Sequence, residues 1–218
     1  MDLQLNPVEV RVLGSLMEKD AATPDYYPLS LNALLAACNQ KSNREPVMSL
    51  DESTLLAAVE SLCMKGLALD ISGGEHRVHK YGHRLGEVFN FDRREQAVMG
   101  VLMLRGPQTV GELRGRTERL YTFDDLASVE ATLNHLAERT PPLVTKLARR
   151  PGEKESRFAH LLSGVPEPPA QDVAAYSPRV VSSTSDERVS HLETELARLE
   201  TELADLRRQF EEFRRKFE

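Results

Sequence analysis

The string EVRVLGSLM at residues 9–17 returns 86 positions later as EQAVMGVLM at residues 95–103. Glu9 pairs with Glu95, Val12 with Val98, Gly14 with Gly100, Leu16 with Leu102 and Met17 with Met103. A repeat at that distance restricts the chain to architectures built from two copies of one unit of about eighty residues. The approach to each copy matches as well. Asn6 stands three positions before Glu9, and Asp92 three positions before Glu95. Each pair has the spacing of a capping box, in which the cap side chain takes one backbone N–H and the glutamate takes another. Pro7 fits the first helical position, where its missing N–H costs nothing.

The rest of each copy follows one order. In the first, residues 20–28 (DAATPDYYP) read as a loop. Ser30 then caps a helix with Leu31, Leu34, Leu35 and Cys38 inward. A polar connection, NQKSNREPVMSLDES at residues 39–53, leads to a third helix with Leu55, Val59 and Leu62 inward. Gly66 ends that helix in the left-handed capping position. Residues 67–71 and 76–81 alternate like strands around Gly73-Gly74. In the second copy, Thr109 caps a helix carrying Val110 and Leu113. Leu126, Val129, Leu133 and Leu136 repeat the spacing of the first copy's third helix, and residues 143–147 and 157–161 read as strands. Three helices and a hairpin, twice, give an expected α+β fold, mostly α with small β-hairpins: two tandem winged helix-turn-helix domains over residues 1–85 and 86–164.

The remaining quarter reads differently. Residues 165–186, rich in Pro, Ser and Ala, read as a flexible linker. Residues 187–218 then show a strict alternation of three- and four-residue steps through Leu192, Leu196, Leu199, Leu203, Leu206, Phe210 and Phe213. That is a coiled-coil seam of about four heptads, and its expected role is homodimerisation. Flanking charges shift from Glu193 and Glu200 to Arg207 and Arg214. They leave strand direction open, because a lone helix dipole favours the same order.

Charge bears on partners. The chain carries a net −6. Residues 1–85 hold eight cations against eleven carboxylates, residues 86–165 twelve against eleven, and residues 166–218 eight against twelve. Any surface for nucleic acid is therefore local. Cations gather on the turns and expected wings: Lys41 and Arg44, with Ser42 and Asn43 between them; Arg77, Lys80 and Arg84; Arg114, Arg116 and Arg119; and Arg149, Arg150 and Arg157. Arg and Lys can anchor phosphates or read guanine, and Asn can read adenine. Against this, the starts of both third helices carry Asp51, Glu52, Asp124 and Asp125, which phosphates repel. Arg44 also has an internal reading, paired with Glu45 or with a carboxylate of the third helix.

No nucleotide, zinc-protease, redox or hydrolase motif is present, so the reading is a binding protein rather than an enzyme, with no cofactor and no metal. His76, His79 and His83 look like ligands, but strand alternation turns His76 and His79 to opposite faces. Cys38 and Cys63 read as small buried residues of a reducing compartment. With no apolar run of membrane length and no secretory pattern at its start, the chain is expected in the cytoplasm.

TPDYYPLSLNALLAACNQKSNREPVM, KYGHR, VLMLRGPQTVGELRGRT and ARRPGEKESRFAHLLSG together resemble the YceH family of bacterial proteins, over residues 5–164. The resemblance implies tandem winged-helix modules and brings no activity, cofactor or catalytic residue with it. The expected function is double-stranded DNA binding in regulation. The alternative is a protein–protein adaptor that uses the same surfaces and the coiled coil without DNA.

Overall fold

The computed structural model describes residues 4–73, 76–149, 152–153 and 155–164, with backbone alone at 72, 73 and 76–78. The expected linker at 165–186 and the heptad segment at 187–218, with Leu192 through Phe213, lie outside the described residues, as do Arg150 and the side chain of Arg77.

Helix α1 (Pro7–Ala22) opens as its sequence dictates. The Asn6 side chain accepts from the N–H groups of Val8 and Glu9, and Glu9 accepts from the Asn6 N–H. It runs three residues into the stretch expected to be loop, and a single 3-10 turn, Pro24–Tyr26, follows. Strand β1 (Leu29–Ser30) leads into α2 (Leu31–Cys38), which Ser30 caps. After the polar connection, Asp51 caps α3 (Glu52–Met64). Strands β2 (Ala68–Gly73) and β3 (His76–His83) form the hairpin, and β1 adds to β3 in the order β1-β3-β2, all antiparallel. A short helix, α4 (Leu85–Phe89), had no counterpart in the sequence reading. Five residues are too few to show a period, and Asn90 at φ 49° closes it.

The second half repeats the order with α5 (Arg93–Arg105), α6 (Val110–Thr117), α7 (Leu126–Glu138), β4 (Val144–Lys146) and β5 (Phe158–His160). A bridge between Gln108 and Phe158 stands where β1 pairs with β3 in the first half. Among the described residues the fold is α+β, with seven α-helices and two small antiparallel sheets.

The equivalence reaches side chains. Leu34 and Leu113 are fully buried on the second helices, and so are Leu62 and Leu136 on the third. Glu9, buried, binds Ser61 Oγ at 2.7 Å and Lys65 Nζ at 2.5 Å. Glu95, buried at the matching position, lies 2.8 Å from His135 Nδ1 and from Arg139 Nη2. Ser61 and Lys65, like His135 and Arg139, stand four residues apart at the end of the third helix.

Helices α1 and α5 lie at the centre. Every residue from 9 to 17 is buried, and so is every residue from 97 to 104. A helix buried all round has partners on more than one side. Each of these two packs into its own half on one side and against the other on the opposite side. Two glycines permit the approach. A Cβ on Gly14 would sit 3.0 Å from Leu104 and 3.1 Å from Met103, and one on Gly100 would sit 3.7 Å from Met17. The contacts are reciprocal, Gly14 to Met103 and Gly100 to Met17, as in an isologous dimer. One continuous core runs through both halves.

Candidate functional site

The halves differ in the connection between their second and third helices. Ser30 to Asp51 spans 21 positions, whereas Thr109 to Asp125 spans 16. The longer connection is held by its own polar groups. The Asn39 side chain donates to the Leu50 carbonyl and accepts from the Leu50 N–H, both at 2.8 Å, closing the loop as a strand pair would. Arg44 is only 4% exposed. Its guanidinium donates to Ala37 O at 3.1 and 2.9 Å, to Asn43 O at 3.0 Å and to Glu18 Oε2 at 2.6 Å. A guanidinium so engaged has no fork left for a ligand. Arg44, grouped from the sequence with exposed contact residues, is therefore an interior brace. Its carboxylate partner is on α1 rather than on Glu45 or the third helix. Asn43, at φ 60°, accepts from Arg105 of α5, and the Glu45 N–H donates to Leu104 O at 2.8 Å. The connection thus ties the first half to the second.

Beside this tie lies a cleft of about 560 Å3. Lys19 from the last turn of α1, Lys41, Ser42 and Asn43 from the connection, Arg105 from the last turn of α5, and Arg116 and Arg119 from α6 and the residues after it line its walls. Two carboxylates, Glu18 and Glu118, share the lining, and Glu18 is engaged by Arg44. A second hollow of about 520 Å3 shares Asn43, Arg105 and Arg116 and adds Arg157 and Glu153. Arg157 is bound to Glu112 at 2.6 Å and Arg116 lies 3.4 Å from the same glutamate. Burial pushes the Glu112 carboxyl up, but the Thr109 N–H and the two arginines outweigh it and hold it below its ordinary range. Lys41, Arg105 and Arg119 have no carboxylate within ion-pair distance among the described residues. Burial, and then the positive charge of Arg116, hold the Arg105 pKa below its usual value. Crowded cations of this kind favour an anion.

The other residues singled out from sequence do not join the cleft. Arg114 spans the α6–α7 connection, donating to Asp124 O at 2.9 Å. Arg84 pairs with Glu87 at 3.0 Å, and Lys80 is half-buried on β3. Arg149 is exposed at a separate hollow with Lys146, Glu130 and Glu155. His83 is packed in. Its side chain is 6% exposed, 3.3 Å from Asp20 and tilted against Tyr27. The exposed positions of α3 (Glu52, Ser53, Thr54, Ala57, Glu60 and Met64) and of α7 (Leu126, Ala127, Glu130, Ala131, Asn134, His135 and Glu138) include neither Lys nor Arg.

Two cleft residues, Lys19 and Arg105, were not singled out from the sequence. The repeat carries the signal for both. They lie 86 positions apart, so extending the EVRVLGSLM alignment by two residues pairs them and places a cation at the end of each central helix.

Among the described residues, no helix is long and apolar enough to cross a membrane. A family model described as "Protein of unknown function, DUF480" matches residues 5–153. A UPF0502 protein of Solibacter usitatus is 57% identical, over 90% of this chain and 93% of its own length. UPF0502 proteins of Geobacter sulfurreducens and Citrifermentans bemidjiense are 53% and 54% identical, each over 90% of both chains. With a family model matched over most of its length and relatives above half identity along nearly all of it, the chain belongs to the DUF480 (UPF0502) family of bacterial proteins.

Proposed function

We propose that the protein is a tandem winged-helix protein that binds duplex DNA through the phosphate backbone, with the cleft of Lys41, Arg105 and Arg119 as its principal contact. The observation that carries this reading is three cations without carboxylate partners among the described residues, drawn from both halves into one cleft of a chain with net negative charge. The repeated order of three helices and a hairpin supports the winged-helix assignment. A winged helix commonly reads bases with its third helix. Here the exposed faces of α3 and α7 contain neither Lys nor Arg and carry glutamates, which argues for backbone contact at the cleft instead. The heptad pattern of residues 187–218, known from sequence alone, supplies the proposed dimer.

Fluorescence anisotropy of a labelled random duplex tests the reading. Affinity is expected to fall steeply between about 50 and 200 mM salt, as condensed counterions are released. Lys41→Ala with Arg119→Ala should lower the salt slope by about two. Binding unaltered by that pair would remove the cleft from the reading.

A protein–protein adaptor is the second reading, favoured by one observation. The third helices expose Met64 (83%) and Leu126 (48%) among glutamates, a surface suited to protein and not to phosphate. No duplex binding at the lowest salt would select it. A stoichiometric protein retained from nuclease-treated bacterial lysate would then identify the partner.

A further inference from the structure

The cleft and the second hollow meet at three residues, Asn43, Arg105 and Arg116, which line both. Asn43 stands at φ 60°, a left-handed conformation that asparagine tolerates better than most residues. Its carbonyl accepts from Arg44 Nη1 at 3.0 Å, and Arg44 is itself fixed by Ala37 O and Glu18. The Asn43 side chain therefore leaves from a braced backbone. Its Oδ1 accepts from Arg105 Nη2, and its Nδ2 remains a donor. Arg105 Nε and Nη1 and Asn43 Nδ2 have no acceptor among the described residues, and none of the three is sealed from solvent. Nδ2 shares a carbon with Oδ1, and Nε and Nη1 share one with Nη2, so the hydrogen bond sets these free donors beside one another. Arg116 is near enough that, after burial, its charge does most to hold the Arg105 pKa below the usual value. The carbonyls of Leu104 and Arg105, at the negative end of α5, are occupied by the Glu45 N–H and by Gln108 Nε2. Four glutamates oppose an anion here: Glu18 and Glu118 in the cleft, Glu45 and Glu153 in the hollow. Arg44 holds Glu18, and Glu153 lies 3.5 Å from Arg157. Seven Lys and Arg residues line the two spaces against those four, so the balance is cationic.

We infer that Asn43, Arg105 and Arg116 form a seat for one phosphoryl group, in which Asn43 both positions the Arg105 fork and donates from its own amide. Donors from three residues exceed what the two oxygens of a carboxylate take up and suit the three oxygens of a phosphoryl group. The group is either a backbone phosphate of the nucleic acid proposed above or a phosphate ester free in solution. The inference rests on that reading only for the polymer. The adjoining spaces, of about 560 and 520 Å3, have room for the free ester as well, since small-molecule sites commonly measure ~300–1,000 Å3.

The test follows the arginine Nε–H resonances of the 15N-labelled full-length protein, with Arg105→Lys identifying the Arg105 signal. The probes are pyrophosphate, a short random duplex, and succinate as an anion without phosphorus. Pyrophosphate is expected to shift the Arg105 signal saturably, with a dissociation constant of about 1 mM or lower. Asn43→Gly keeps the positive φ and removes the amide, and should weaken pyrophosphate about tenfold. A purely structural Asn43 would instead lower the urea midpoint of that variant and leave its affinity unchanged. Should Asn43→Gly not fold, Arg116→Gln, at an exposed position of α6, should weaken pyrophosphate by a similar factor. Displacement of pyrophosphate by the duplex assigns the seat to a backbone phosphate. Pyrophosphate binding with no response to duplex assigns it to a free phosphate ester, and removes the DNA reading while the seat stands. Three results would each overturn the inference: no shift of the Arg105 signal with the duplex or with about 10 mM pyrophosphate; a shift by succinate of equal affinity; or unchanged pyrophosphate affinity in folded Asn43→Gly or in Arg116→Gln.

Discussion

Arg44 shows what a residue's position in the sequence conceals. It stands in the most polar stretch of the first half, near Lys41, and its sequence leaves it between a contact residue and an internal ion pair. In the structure Lys41 is exposed and Arg44 is closed in by four hydrogen bonds. Inside a helix, period tells which face is buried. A loop has no period, so nothing in the order of residues separates an inward cation from an outward one. The consequences for stability are opposite. Arg44→Ala should cost about 3 kcal/mol, because it leaves Glu18 and the Ala37 carbonyl without their donor. Lys41→Ala should stay within about 0.5 kcal/mol. Urea unfolding of the two variants measures both. A loss below about 1 kcal/mol for Arg44→Ala would deny it the role of brace.

Among elements, the caps and periods were legible and the joints were not. The capping boxes at Asn6 and Asp92, and the caps at Ser30 and Thr109, are where the sequence puts them, because capping depends on neighbours three residues apart. The ties from Glu9 to Ser61 and Lys65, and from Glu95 to His135 and Arg139, could not be read the same way, since each joins residues forty or more positions apart. They fasten the start of each half's first helix to the end of its third. Burial raises the Glu9 pKa, but Lys65, Ser61 and the Asn6 N–H prevail and leave it below the ordinary carboxylate value. A carboxyl with a depressed folded pKa stabilises the fold above its unfolded pKa, and that contribution fades as pH falls through the folded value. Glu9→Gln should therefore cost about 2 kcal/mol at neutral pH. The difference from wild type should begin to shrink below about pH 4.5, where the unfolded carboxyl takes up its proton, and vanish as pH falls through the lower folded value. Denaturant unfolding at pH 7 and near pH 4 measures both; a cost that does not change with pH would mean the charge is irrelevant.

For the described chain as a whole, the repeat announced two copies but not how they meet. The glycines were visible as a matched pair, yet only the structure shows each facing the other half. Their tolerances differ. Gly14→Ala forces Leu104 and Met103 aside and should cost about 1 kcal/mol even after its gain in helix propensity, whereas Gly100→Ala has ordinary van der Waals room and should raise stability by up to about 1 kcal/mol. Thermal unfolding of both should move the midpoint in opposite directions; equal shifts would contradict the packing described for α1 and α5. That packing has a consequence for divergence. Two separate copies meeting this way would be bound to change together and would dissociate on dilution. Joined in one chain, each meets its counterpart at an effective concentration in the millimolar range, whatever the abundance of the protein. Each is also free to keep a residue that the other lacks. Arg11 lines a cavity between the halves, whereas the matching position holds Ala97, so the two sides of the join are no longer interchangeable.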